Sequence, residues 1–126
     1  MSGEFLKSPL KWAGGKSKLM PKIEQVYNKD FIWNSNRYIY IELFAGGGSS
    51  WLYVLQNYKP KRLIINDINP NVINLWRCIQ SNPKALCEDI DSIISNYLSF
   101  DWDGRKEFFL KLRKEFNVKK DVLTGE

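Results

Sequence analysis

At 126 residues the chain amounts to one small domain at most, and its 44% apolar content is enough for a packed core rather than a disordered chain. It contains no histidine, which excludes a Ser-His-Asp or Cys-His mechanism within the chain, and its two cysteines form no CxxC pair, which argues against a zinc site. The net charge of +5 is uneven: residues 1–37 carry seven basic and three acidic side chains, 38–104 five and seven, and 105–126 seven and four. Two basic flanks around a slightly acidic centre suit a polyanion partner or an ordinary solvated surface.

In chain order, "PLKWAGGKSK" reads as a turn, and a helix is expected from Ser17 to Tyr27 with Leu19, Ile23, Val26 and Tyr27 on one face. Pro21 confines that helix's start to its neighbourhood. Residues 28–37 read as loop. "RYIYIELF" reads as a strand whose near-continuous apolarity suits cover on both faces, as in parallel sheets. "AGGG" ends it, and "SSWLYVLQNY" follows as a helix that Ser49 or Ser50 is placed to cap. "RLIINDI" is a second strand. Asn69-Pro70 and Asn82-Pro83 each supply a cap and a first helical residue, for "NVINLWRCI" and for "KALCEDIDSIISNYL". The latter carries the apolar stripe Leu86, Ile90, Ile93, Ile94 and Tyr97. A last helix is expected from Arg105 to Phe116, with Phe108, Phe109, Leu112 and Phe116 on one side.

Strand, glycine turn, helix, strand is a βαβ unit, so the chain is α/β with parallel strands. Only two strands are found, and a two-stranded stump is not independently stable, so the chain reads as the front of a larger domain. Cys78 and Cys87 fall in apolar-periodic stretches and are expected to be buried thiols in a reducing compartment. No apolar run approaches the ~18–20 residues of a membrane helix. "MSGEFLKSPL" lacks the apolar core of a secretory signal.

Two features point to a ligand. Gly46, Gly47 and Gly48 sit where the first strand delivers the chain to a helix, and bare backbone there admits close approach. The spacing is not the dinucleotide GxGxxG, so a plain strand-to-helix corner is an equal reading. Asp67 ends the second strand 21 residues after Gly46, close to the offset of ~20 at which an acid reaches ribose hydroxyls in βαβ nucleotide sites. The alternatives for Asp67 are a solvated strand end or a helix cap. Gly15-Lys16-Ser17 ends like a phosphate loop, but the required earlier glycine is Leu10, which weakens a nucleotide hydrolase. On the bare sequence Trp12 reads equally as a core aromatic and Lys16 as a surface charge.

"LKWAGGKSKLMPKI", "YIELFAGGGSSWLYV" and "LIINDINPNVINLW", in that order, resemble the Dam-type DNA adenine-N6 methyltransferases, and the resemblance runs from about Phe5 to Asn117. It implies a Rossmann-like, class I S-adenosylmethionine-dependent methyltransferase fold, truncated to the first βαβ unit plus flanking helices. Residues 1–100 would be the donor-binding N-terminal part of the catalytic domain, and 101–126 the start of a target-recognition insertion. By the same resemblance the methyl donor is S-adenosylmethionine. Trp12 and Lys16 would contact it, Phe44, Ala45 and Gly46 would wrap it with Glu42 nearby, Asp67 would hold the ribose, and Ile68 would pack on the adenine. The substrate would be double-stranded DNA, in a restriction-modification setting within a bacterial or phage-infected cytoplasm, with no membrane.

The family's catalytic Asp-Pro-Pro-Tyr motif is absent: the prolines are Pro9, Pro21, Pro60, Pro70 and Pro83, and no two are adjacent. Its aromatic ring would clamp a target base flipped from the duplex. The chain alone is therefore expected not to methylate DNA, and an unpaired apolar sheet edge is expected. A second reading is a non-catalytic donor-binding module, or a subunit completed by another chain that carries the missing strands.

Overall fold

The computed structural model of the chain describes residues 6–26 and 37–124. The expected loop at 28–37 and the helical Tyr27 lie outside the described residues, Arg37 excepted. Contacts divide the chain between Ile73 and Asn74 into two compact units.

In the first unit, α1 runs over Met20–Val26, three residues shorter at its start than the sequence pattern. Pro21 therefore falls in the first turn, where its missing N–H costs nothing. Before it, the backbone N–H groups of Leu19 and Met20 both donate to the Lys16 carbonyl, at 2.8 and 3.0 Å, so 17–19 is a turn. The buried side is also different from the expected stripe. Met20 is buried and Ile23 and Glu24 are half-buried, whereas Leu19 and Val26 are exposed. A tertiary partner selects this face: the Tyr53 hydroxyl donates to Glu24 Oε2 at 2.6 Å, turning the Met20–Ile23–Glu24 side toward the next helix.

β1 (Ile39–Glu42) and β2 (Arg62–Ile65) form a two-stranded parallel sheet, with Ile39 opposite Arg62 and Glu42 opposite Ile65. The pairing continues past both strand ends. The Asn66 N–H donates to the Glu42 carbonyl and the Ala45 N–H to the Asn66 carbonyl, both at 2.8 Å. This zips the turn after β1 to the end of β2. One face of the sheet, with Tyr40, Glu42, Leu63 and Ile65, is half-covered; the other, with Ile39, Ile41 and Ile64, is exposed. Cover on both faces was the sequence expectation. The crossover helix α2 (Ser49–Asn57) packs on β2, and only the Tyr40–Glu42–Leu63–Ile65 face is shielded from solvent.

α2 buries Trp51, Leu52 and Val54, with Tyr58 just beyond its end, at the spacing of one helical face. Its cap corrects the serine expectation. Gly48 is the N-cap, in the left-handed region at φ +90°, and no side chain caps the helix. The serines lie one and two residues too late, already inside the first turn.

α3 (Pro70–Ser81) spans the division between the units and buries Val72 and Trp76. It starts as the sequence implies: the Asn71 N–H donates to Asn69 Oδ1 at 3.0 Å. In the second unit, α4 (Pro83–Ser99) is capped by Asn82, whose Oδ1 accepts the Ala85 N–H at 3.2 Å. α5 extends over Trp102–Thr124, beyond the expected Arg105–Phe116 at both ends. Asp101 accepts the Gly104 N–H at 2.9 Å and so moves the start forward, and no proline or glycine interrupts 117–124. Contacts between α4 and α5 gather at their short connection. The Phe100 and Phe108 rings lie 5.6 Å apart, and Arg105 sits 5.5 Å over the Tyr97 ring while donating to the Leu98 carbonyl at 3.2 Å. Upstream, Ile90, Ile93 and Ile94 are exposed. Cys87 is exposed as well and Cys78 only half-buried, contrary to the expected buried thiols. The helix has the periodicity of a buried face, but its Ile90, Ile93 and Ile94 are left in solvent.

Candidate functional site

The site is built around the turn that leaves β1. Ala45 is 3% exposed and the three glycines after it are buried. Gly46 at φ +47° and Gly48 at φ +90° take backbone conformations that side chains with a Cβ rarely adopt. The Gly48 N–H closes the turn on the Ala45 carbonyl at 2.9 Å. Trp12 lies against this turn: a Cβ on Gly46 would sit 3.1 Å from the indole nitrogen, and one on Gly47 2.7 Å from the Trp12 Cβ. The upstream "KWAGGK" segment and the glycine turn, 34 positions apart at Trp12 and Gly46, are therefore in contact.

Asp67 reaches the same turn. The Gly46 N–H donates to Asp67 Oδ2 at 2.8 Å, and the Asn69 N–H donates to Oδ1 at 2.9 Å. A carboxylate offers about four acceptor sites. Two backbone donors leave capacity for a ligand's hydroxyls on the same group. Glu42 is joined to α2 instead: its Oε2 accepts the Ser50 hydroxyl at 2.7 Å and the Tyr40 hydroxyl at 3.1 Å. Neither partner follows from the family motifs. Tyr40 was legible in principle, since residues two apart share a strand face. Ser50 was not, because it becomes a neighbour only through the turn.

Of the eight residues singled out from the sequence, Trp12 and Asp67 each meet Gly46, and Ala45 and Glu42 are tied to the end of β2 through Asn66. The others are placed differently. Lys16 is exposed and contributes its carbonyl to the turn before α1. Phe44 is 78% and Ile68 94% exposed; one precedes the buried turn, the other follows Asp67. Both apolar side chains are open to solvent, at positions next in sequence to Ala45 and to Asp67. The chemistry of this set, a carboxylate with spare acceptor capacity beside bare backbone, is compatible with a ligand that carries hydroxyl groups. Two of the turn's amides are already engaged, Gly46 by Asp67 and Gly48 by the Ala45 carbonyl.

A separate cleft of ≈ 470 Å³ lies between the N-terminal segment and α2, lined in part by Ser8, Ser17, Ser49, Leu52, Tyr53 and Asn57. It shares none of those eight residues. On its wall, the hydrogen bond to Glu24, aided by burial and by the carboxylate's charge, raises the Tyr53 hydroxyl from 10.0 to about 12. Among the described residues no group of acidic, cysteine or histidine side chains could hold a metal, and no helix is long and apolar enough to cross a membrane.

Residues 12–125 match the family model of the D12 class N6 adenine-specific DNA methyltransferases, and the chain belongs to that family. It is 38% identical over 112 residues to the type II methyltransferase M.MjaIII of Methanocaldococcus jannaschii, covering 89% of this chain and 38% of that protein. It is 34% identical over 109 residues to the DNA adenine methylase of Haemophilus influenzae, covering 86% and 33%, and 30% identical over 118 residues to that of Vibrio cholerae, covering 90% and 35%. The chain thus spans about a third of these relatives' length. No solved structure matches it significantly.

Proposed function

We propose that this chain is the donor-binding portion of a site-specific DNA adenine-N6 methyltransferase that uses S-adenosylmethionine. Residues 1–100 belong to the catalytic domain, in a class I, Rossmann-like arrangement, and 101–126 open the target-recognition insertion. The observation that carries the reading is the convergence of Trp12, Gly46 and Asp67, three residues far apart in sequence, on one turn. When bound, S-adenosylmethionine supplies an electrophilic methyl group on a sulfonium centre. Asp67 accepts the ribose hydroxyls with its remaining lone pairs. Ile68 covers the adenine, and Phe44, Ala45 and Gly46 wrap the donor beside Glu42. Trp12 and Lys16 contact it from the upstream segment. The turn's bare backbone suits a ligand without phosphates. The whole protein acts on double-stranded DNA in the cytoplasm.

Isothermal calorimetry of the folded chain with S-adenosylmethionine tests this. One donor is expected to bind per chain, and Asp67→Ala is expected to weaken binding about tenfold through the lost hydrogen bonds to a charged acceptor. A chain with a native spectrum that takes up no donor, or takes up ATP instead, refutes the reading.

The sheet face of Ile39, Ile41 and Ile64 favours a second element of the proposal, a donor-binding module completed by further strands or by a complementing chain. With no Asp-Pro-Pro-Tyr motif in its 126 residues, the chain by itself transfers no methyl group. Tritiated methyl transfer to DNA by the isolated chain would overturn that statement.

A further inference from the structure

Asp67 does more within the chain than present an acid to a ligand. Its two oxygens accept from two backbone donors that belong to different elements: Gly46, at the entry of the glycine turn, and Asn69, the cap of α3. The Gly46 bond spans 21 residues and crosses from the end of β2 to the end of β1. Gly46 stands at φ +47°, in a conformation that glycine tolerates but does not require, so something must hold its peptide plane. The Asn69 bond fixes the carboxylate from the other oxygen, and Asn69 in turn caps Asn71. Carboxylate plane, glycine turn and helix start are thus one hydrogen-bonded unit.

We infer that Asp67 is a positioning residue for the glycine turn, acting on the donor through the Gly46 amide as well as by contact with it. The inference rests on the donor-binding reading only for its effect on affinity; the turn's geometry is independent of that reading. The chemistry demands a carboxylate. Two N–H donors need two acceptor oxygens, and an asparagine would turn its own NH₂ toward one of them. A residue needed solely for ribose hydroxyls would tolerate the amide better, because hydroxyls both donate and accept.

The test uses the full 126-residue chain and two readouts. In the wild type, the through-hydrogen-bond coupling between the Gly46 amide nitrogen and the Asp67 carboxyl carbon is measured. A coupling is expected, and its absence overturns the inference. In Asp67→Asn, Gly46 amide exchange is expected to speed up about tenfold as its bond to a charged acceptor is lost. Affinity is then compared for S-adenosylmethionine and its 2′,3′-dideoxy analogue. If Asp67 acts through the turn, Asp67→Asn still weakens the dideoxy analogue, by about three- to tenfold on the same hydrogen-bond scale. No loss with the dideoxy analogue would mean that Asp67 works through the hydroxyls alone, and the inference fails. Should the wild type bind no donor, the donor reading falls, while the two amide measurements still decide the positioning role. Should Asp67→Asn not fold, the wild-type coupling decides it.

Discussion

Replacing Gly47 with alanine tests how the upstream segment is held on the glycine turn. Gly47, unlike its neighbours, does not occupy the left-handed region, so alanine adds no backbone strain and its cost comes from contact alone. The new Cβ would lie 2.7 Å from the Trp12 Cβ and 3.1 Å from the Ser8 hydroxyl, and must open toward the 3.4–4 Å of ordinary contact. The Trp12 Cβ is bonded to backbone and cannot swing aside as a ring tip would. Forced overpacking of this kind costs about 1–3 kcal/mol. Trp12 is 43% exposed, so the cheaper escape is for residues 6–19 to lift from the turn while α2 and the sheet stay folded. The assay is denaturant unfolding of Gly47→Ala, Trp12→Gly and the double variant, with the Trp12 indole N–H signal as a local probe in the wild type and Gly47→Ala. Because glycine at 12 removes the offending Cβ, Gly47→Ala should cost at least about 1 kcal/mol less in that background. An equal cost in both backgrounds, or an unchanged indole signal in Gly47→Ala, would refute the reasoning.

Tyr53→Phe removes the bond to Glu24 and should destabilise the chain by roughly 1 kcal/mol at neutral pH, a figure kept low because the pair is partly solvated. The folded pKa of Tyr53 is raised from 10.0 to about 12, so this contribution is complete below pH 10 and fades as pH climbs toward 12; wild-type and variant stabilities should converge over that window, and a constant difference would contradict the assignment. Ser50→Ala leaves Glu42 with Tyr40 as its remaining hydroxyl donor and should cost about 1–2 kcal/mol in urea unfolding; no loss would mean that the 2.7 Å bond does not hold the turn. Asn82→Ala should lower stability by about 1 kcal/mol with loss of helical ellipticity from α4, whereas Asn82→Gly should cost only a few tenths; equal effects of the two would deny the side-chain cap.

The helix starts at Pro70 and Pro83 were legible in the sequence because a cap is a bond to the residue two or three places on. Asn69 and Asn82 meet Asn71 and Ala85 however the rest of the chain folds. The parallel pair β1–β2 was legible for a related reason: strand, turn, helix and strand in that order leave few ways to close. Family membership, too, could be read from three short motifs. What the sequence did not reveal lies between distant positions. The buried side of α1 was assigned wrongly because Tyr53, 29 residues away, selects it. The apolar stripe of α4 has the period of a core face, yet period cannot say whether another element arrives to cover it, and here Ile90, Ile93 and Ile94 stay exposed.

The glycine turn shows both halves of this division. That Gly46 to Gly48 and Asp67 lie near one another followed from spacing, since a βαβ crossover places the two strand ends side by side. That Asp67 holds the Gly46 amide, that Trp12 packs on the turn, and that Glu42 is tied to Ser50 were decided only by tertiary structure. A residue's chemistry is written in its type. Which of several donors its lone pairs meet depends on backbone positions that the whole unit fixes together.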